Sequence, residues 1–554
     1  MRQFIFFIFI VFLVSLFQNR VAYAENNNKL IKNDEIVGLD NIENLILYEN
    51  NVESKNNVNN LNHDYKKIYY TNDKQRLVNY ADGYRIDLPR DCQYNFDYSP
   101  IGVKAFNEKM EILITIEWSY NSNVNDYIDH YYNRFITNEK YITANNITLL
   151  EQLNITNNTY KLKTLTIQVN DTSNENFNAY TYVTIQGNSQ SFYRIMFKYY
   201  NDRDTKAIID SIAHSFTMIQ RFGQPVYSHI NLAPVIPQNW SDETKKQYER
   251  ICRSDILQWG IFTKDIYSVG INKTVPELEE KLDYKFDMIL SYVHFNEEFP
   301  TDFIRNNYEN GRMTELTYQI TQSNNEDLFD FTPNLDVYRG KLDEKIRAVA
   351  QQAKMVEYPF LFRLNNEMNS DWASYSGIVN LCDPQVYVDN WRRIYNIFEE
   401  EGVNNAIWIF NPNDRNYPPA AWNDFLWYYP GNEYVHMIGF TGYNTGTYYK
   451  NVTGEQWREF DVIYKEAETT YTQFFSKFPW IITEFASSSI GGDKVKWIDN
   501  MFKHIKKCPN LKIAVWFSYA DYDLRPEYKG ATARPYWLDE TTDTLEAFKR
   551  GLHN

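Results

Sequence analysis

From residue 225 onward, short apolar runs of strand length alternate with longer amphipathic stretches, the spacing a βα series imposes. The runs cover 258–263, 286–293, 313–318, 359–364, 406–410, 436–440, 480–483 and 513–517. Eight such segments predict a closed parallel barrel, with helices at 342–356, 384–401 and 492–507 among those that wrap it. Between 68 and 219 the pattern differs: apolar and polar residues alternate with period two over 84–89, 112–118, 160–168, 179–186 and 192–199. Helical spacing shows there at 126–136 and 204–216. The fold class read from this is α/β: a (β/α)8 TIM barrel over 225–554, preceded by a smaller α+β domain over 67–220 with a mostly antiparallel sheet.

The first 66 residues fit neither pattern. Arg2, the apolar stretch 4–17 and the small residues Ala22 and Ala24 have the three parts of a secretory signal, with cleavage expected after Ala24. Residues 25–66 are thick with Asn and charge, a composition that buries too little apolar surface to order itself, and read as a spacer. The chain is therefore expected to be secreted and extracellular, with cell-surface association open. A net charge of −16 argues against nucleic acid or an anionic membrane as partner, and no later segment is apolar enough to span a bilayer. A neutral polysaccharide is compatible with that charge, and a monomer is expected. Cys92, Cys252, Cys382 and Cys508 are too scattered for a disulfide framework, leaving at most one bridge within the second domain. The histidines show no metal-ligand spacing, so neither metal nor cofactor is expected.

Two segments carry the candidate chemistry: Arg363-Leu-Asn-Asn-Glu367-Met-Asn-Ser-Asp-Trp372 and Trp480-Ile-Ile-Thr-Glu484-Phe-Ala486. In each, an apolar run ends in a glutamate, and only a closed fold could bring the two together. A retaining glycosidase needs such a pair, roughly 5 to 5.5 Å apart, and a parallel barrel presents catalytic groups at the C-terminal ends of its strands. Glu367, beside Met368 and Trp372, reads as the acid/base whose protonated form desolvation favours, and Glu484 as the nucleophile. Tyr443 could donate to Glu484; Trp516 and Trp372 could offer faces to sugar rings; His294 could line the cleft. Arg363 could orient either glutamate, or equally form a buried ion pair within the barrel.

Region 225–554 resembles glycoside hydrolase family 26, a retaining (β/α)8 group best known for β-mannanases. The likeness rests on Ser291-Tyr-Val-His-Phe295, Pro359-Phe-Leu-Phe-Arg363, Asn366-Glu367-Met-Asn369-Ser-Asp-Trp372, Ala406-Ile-Trp-Ile-Phe-Asn-Pro412, Gly439-Phe-Thr-Gly-Tyr443-Asn, Ile482-Thr-Glu484-Phe and Ala514-Val-Trp516-Phe. It implies catalytic glutamates after the fourth and seventh strands, hence Glu367 and Glu484. Asn366 departs from the His that mannanases of the family carry before the acid/base; in the wider clan an Asn there contacts the sugar 2-hydroxyl. The resemblance implies a retaining endo-β-glycosidase, with β-1,4-mannan first among candidate substrates. Mixed-linkage β-glucanase or xylanase activity, or a non-catalytic glycan-binding protein that keeps the barrel, are the alternatives. Residues 68–219 bear a weak resemblance to PsbP-like domains through Gly83-Tyr-Arg-Ile-Asp-Leu-Pro89. Their aromatics make glycan or cell-wall binding a further expectation.

Overall fold

The computed structural model describes residues 65–553, apart from 121, 157–159, 173–175, 229, 231 and 324–326. The leader and nearly all of the spacer thus lie outside the described residues. The first strand, Lys66–Tyr70, opens a four-stranded antiparallel sheet with Lys74–Asn79, Tyr84–Pro89 and Thr217–Met218. A second, seven-stranded antiparallel sheet is ordered Gln93–Asn95, Val103–Phe106, Met110–Trp118, Ser191–Tyr199, Ala179–Gln186, Lys161–Val169, Ile147–Thr156. The sequence pattern missed several of these strands because they are short or, like Lys74–Asn79, carry charge on part of their length.

Every residue of Ser191–Tyr199 is buried, because both faces of its sheet are covered. Tyr193, Ile195, Phe197 and Tyr199 face one core, shared with helix Arg203–Ser215. Phe192 and Met196 face the other way, into a core built jointly with barrel residues Leu335, Ile378, Leu381 and Trp422. On that same face Lys198 meets Asp383 at 3.1 Å, both side chains buried. Removing either partner strands the other charge, at a cost of about 3 to 5 kcal/mol. Tyr182 donates its hydroxyl to the Leu381 carbonyl at 2.6 Å, and Tyr141 donates likewise to Val379. Glu117 accepts the backbone N–H groups of Ala421 and Trp422 at 2.8 and 3.2 Å.

The second domain is a closed barrel of eight parallel strands: Gln258–Thr263, Met288–His294, Met313–Gln319, Phe360–Leu364, Ala406–Phe410, Met437–Thr441, Trp480–Phe485 and Leu511–Ser518. The first pairs with the eighth in parallel from Gln258↔Ile513 to Thr263↔Ser518, which closes the ring. Alternate side chains, Met288, Leu290, Leu361, Ile407, Ile409, Ile481, Ile513 and Val515, fill the interior, and helix Asp242–Arg253 supplies Tyr248 and Ile251 to the same cluster. Residues of opposite parity, such as Phe360, Phe362, Trp408, Ile482 and Trp516, pack outward against the helices. The N-terminal domain grips the loops that follow the third, fourth and fifth strands, so it meets the barrel at the mouth where the two glutamates emerge. All four cysteines are free thiols. Among the described residues no helix is long and apolar enough to cross a membrane.

Candidate active site

Glu484 stands near the end of the seventh strand, where the pairing register slips. Phe440 pairs with Ile482 and the next residue, Thr441, with Glu484, so Thr483 is extra. Such a bulge re-aims side chains. Ile481 faces the interior and Ile482 the helices; Thr483 then turns inward to Asn411 Oδ1 at 2.8 Å, and Glu484 also faces the mouth. Its carboxylate receives four donors. Oε1 accepts from Arg363 at 3.2 Å and from Asn366 Nδ2 at 3.3 Å; Oε2 accepts from Tyr443 at 3.2 Å and from Tyr292. Burial, then the Glu484 charge, push the Tyr292 phenol well above its ordinary range, so it stays a donor.

Beneath Glu484 the third strand lines the interior with polar groups. Thr317 accepts from Arg363 Nε at 2.7 Å, and Glu315 lies 3.0 Å from that same nitrogen, both charged side chains fully buried. Arg363 therefore does both things the sequence left open: it contacts Glu484 and forms an interior ion pair. Burial pushes the Glu315 carboxyl up to about 8, opposed by Arg363 and reinforced by Glu484. Gln319, next on that face, donates to Asn366 Oδ1 at 2.9 Å, as does Tyr375 at 2.9 Å. Asn366 is thus locked by two donors with its amide turned toward Glu484.

Glu367 follows the fourth strand in a left-handed backbone conformation, φ 57°. A non-glycine residue there stores about 1 to 3 kcal/mol of strain. The loop holds it in place: the Glu367 N–H donates to the Asn411 carbonyl at 2.8 Å, and Ser370 Oγ donates to the Glu367 carbonyl at 2.6 Å. Both donors to its carboxyl, Trp372 Nε1 at 2.8 Å and Asn413 Nδ2 at 3.0 Å, converge on Oε2. Burial first, and the nearby Glu484 charge second, push this carboxyl up to about 8. A protonated Glu367 would carry its proton on Oε1, the oxygen those donors leave alone.

Trp372 is half-exposed beside Glu367. His294 lies on the inward parity of the second strand, two residues beyond Tyr292, with its ring bound to Thr321 Oγ1 at 2.7 Å. Trp516 requires a correction: it is fully buried, donates to the Tyr536 carbonyl at 2.9 Å, and packs on Phe485, Trp497 and Phe548. Its parity is that of Ala514, toward the helices. The next residue, Phe517, faces the mouth, stacked on Phe262 at 4.8 Å and edge-on to Tyr443 at 5.9 Å. Tyr292, Gln319, Tyr375 and Asn413 were not singled out from sequence. Tyr292 had a usable signal, an even-numbered place in the strand shared with Met288 and Leu290.

The family model described as glycosyl hydrolase family 26 matches residues 200–508. The chain belongs to that family. The match ends before the eighth strand, which closes the barrel. Endoglucanase H of Acetivibrio thermocellus is 30% identical over 250 residues, covering 44% of this chain and 26% of that protein. The chain thus spans about a quarter of the length of this curated relative. Among solved structures, a Bacillus subtilis mannanase covers 52% of this chain and 89% of its own, with 16% identity and a TM-score of 0.37. A family 26 β-mannanase from Bacteroides ovatus covers 56% and 93%, with 17% identity and a TM-score of 0.42. At this distance such likenesses carry no argument about the sugar this family 26 chain takes.

Proposed function

We propose that the protein is a secreted, retaining endo-β-glycosidase that cleaves a β-linked polysaccharide through a covalent glycosyl-enzyme intermediate. The observation that carries this reading is the opposed environment of the two glutamates: Glu484 held by four donors, Glu367 pushed up to about 8 by burial and by Glu484. Glu367 donates its proton to the glycosidic oxygen while Glu484 attacks the anomeric carbon; the C–O bond to the leaving sugar breaks as the ester to Glu484 forms. Once esterified, Glu484 carries no charge, the repulsion that raised Glu367 vanishes, and Glu367, having given up its proton, stays ionised and free to take one from the incoming water. Arg363, Tyr292 and Tyr443 position the nucleophile, and Trp372 offers its exposed face to the first leaving-group sugar.

For the backbone sugar, the name of the relative at 30% identity, an endoglucanase, favours a β-glucan. β-1,4-Mannan is the second reading, resting on the family resemblance. Asn366, where mannanases of the family place His, bears on the same choice. Secretion rests on the sequence 1–24. The experiment is hydrolysis of lichenan, carboxymethylcellulose, glucomannan, mannan and xylan by the mature chain, with the anomeric configuration of the first product read by NMR. Release from at least one polymer with retained configuration is expected. Inverted product, or silence on all five, would overturn the reading.

A further inference from the structure

The N-terminal domain meets the mouth of the barrel at the loops that carry Glu367 and its donors. The donors to Glu484 come from the second and fourth strands, from Asn366 and from Tyr443 just past the sixth strand, whereas both donors to Glu367, Trp372 and Asn413, belong to the loops after the fourth and fifth strands. Those are the loops the N-terminal domain grips through Leu381, Asp383, Ala421 and Trp422. Further along them, Tyr417 donates its N–H to the Asn369 carbonyl at 2.7 Å, so its ring stands close to the Glu367 loop. There it meets a side chain of the other domain: the rings of Tyr131 and Tyr417 stand edge to face, centroids 6.2 Å apart and planes at 82°. Both rings are partly exposed.

Asp371, between Ser370 and the exposed Trp372, completes the patch. It is partly exposed, and no hydrogen bond or ion pair ties its carboxylate to another described residue. Arg134, from the same N-terminal segment as Tyr131, is close enough for its charge to bear on it. Two aromatic rings, a carboxylate without a hydrogen-bonded partner and a guanidinium are therefore assembled from two domains beside a half-exposed indole. Apolar faces bordered by hydrogen-bonding groups suit the C–H face and hydroxyl rim of a pyranose.

We propose that the N-terminal domain is a wall of the catalytic cleft: Tyr131 and Arg134, with Tyr417 and Asp371, form a sugar site on the leaving-group side, one unit beyond Trp372. This rests on the proposed hydrolytic reading, which fixes Glu367 as the acid and so defines that side. The domain would then set where along a β-glycan chain the bond is cut, acting within the cleft and not as a tethered carbohydrate anchor.

The test compares the full chain with its Tyr131→Ala and Asp371→Asn variants on two substrates: the best polysaccharide, and an aryl glycoside of the same sugars whose leaving group is a single nitrophenol. The aryl substrate ends before the proposed site. The ratio of kcat/KM on polymer to that on aryl glycoside should fall about tenfold for Tyr131→Ala, the loss of one aromatic contact. For Asp371→Asn, which keeps size and fold, it should fall about threefold, as for one hydrogen bond at the mouth. Cleavage of an oligosaccharide labelled at its reducing end should shift position in both variants. An unchanged ratio and pattern in Asp371→Asn, together with an unchanged or proportionate loss in Tyr131→Ala, would overturn the inference while leaving hydrolysis intact. Wild-type silence on both substrates would instead overturn the enzymatic reading and this inference with it. Thermal unfolding of each variant separates lost folding from lost binding.

Discussion

Two carboxylates share one barrel mouth, yet the regions around them are built on opposite principles. Glu484 is carried by a strand and placed by a bulge, over a floor of Arg363, Glu315 and Thr317 fixed by the barrel itself. Four donors hold its carboxyl oxygens in place. Glu367 is carried by a loop, in a left-handed conformation, buried, with both donors on one oxygen. On the proposed reading, the contrast lets one fold make a nucleophile and an acid from the same side chain: four donors orient the one, and desolvation favours the neutral form of the other. It also shows where each function is anchored. Glu484 depends on strand geometry, whereas Glu367 depends on loops that a second domain clamps.

The sharpest way to break this contrast is to remove each carboxylate and vary the leaving group. Glu484→Ala should lose about 10⁴-fold or more in kcat/KM on every substrate, because no group replaces the attacking oxygen. Glu367→Ala should lose about 10²- to 10⁴-fold on polysaccharide but far less on a dinitrophenyl glycoside, whose leaving group needs no proton. Equal losses for Glu367→Ala on both substrates would contradict its role as acid. Next in size is Tyr292→Phe, which withdraws one donor from Glu484; kcat should fall about a hundredfold, as when one preorganised donor is removed elsewhere.

A smaller effect sharpens the other half. With its carboxyl pushed up to about 8, Glu367 should give kcat/KM an alkaline limb near that pH. Asn413→Ala removes a donor that favours the ionised form, so the limb should move upward by about one unit. A downward move would mean that Asn413 acts on the neutral form. Smallest for catalysis is Trp516→Phe: because this indole packs outward against helices, kcat/KM should stay within about twofold while the unfolding temperature drops by a few degrees. A large loss of activity in a stably folded Trp516→Phe protein would restore the platform role that the structure denies it.

The barrel was legible in the chain because most of its strands are continuous apolar runs at regular intervals, and the two glutamates were legible because each stands at or just past the end of such a run. Arg363 stayed open between two roles in the sequence, and its parity with Leu361 in a five-residue strand is what turns it into the barrel. Trp516 was misplaced because Ile513-Ala-Val-Trp-Phe517 contains no polar residue to set its parity, leaving Trp516 and Phe517 equal candidates for the mouth. The bulge at Thr483 could not be read, since nothing in Trp480-Ile-Ile-Thr-Glu484 marks a register slip. The polar ladder Glu315, Thr317 and Gln319 was hidden for a different reason: alternate polar residues normally signal a face turned to water, and here that face is the barrel interior. The union of the N-terminal sheet with the barrel mouth depends on contacts such as Lys198 with Asp383, far apart in sequence, for which no local pattern exists.

The central claim is that Glu484 forms a bond to the sugar. A 2-deoxy-2-fluoro glycoside with a good leaving group slows hydrolysis of the ester more than its formation, so the intermediate should accumulate on the whole protein. Proteolysis and mass spectrometry should then find one fluoroglycosyl group, on the peptide containing Glu484 and on that residue. A label on Glu367 or elsewhere, or turnover with inversion and no label, would contradict the account.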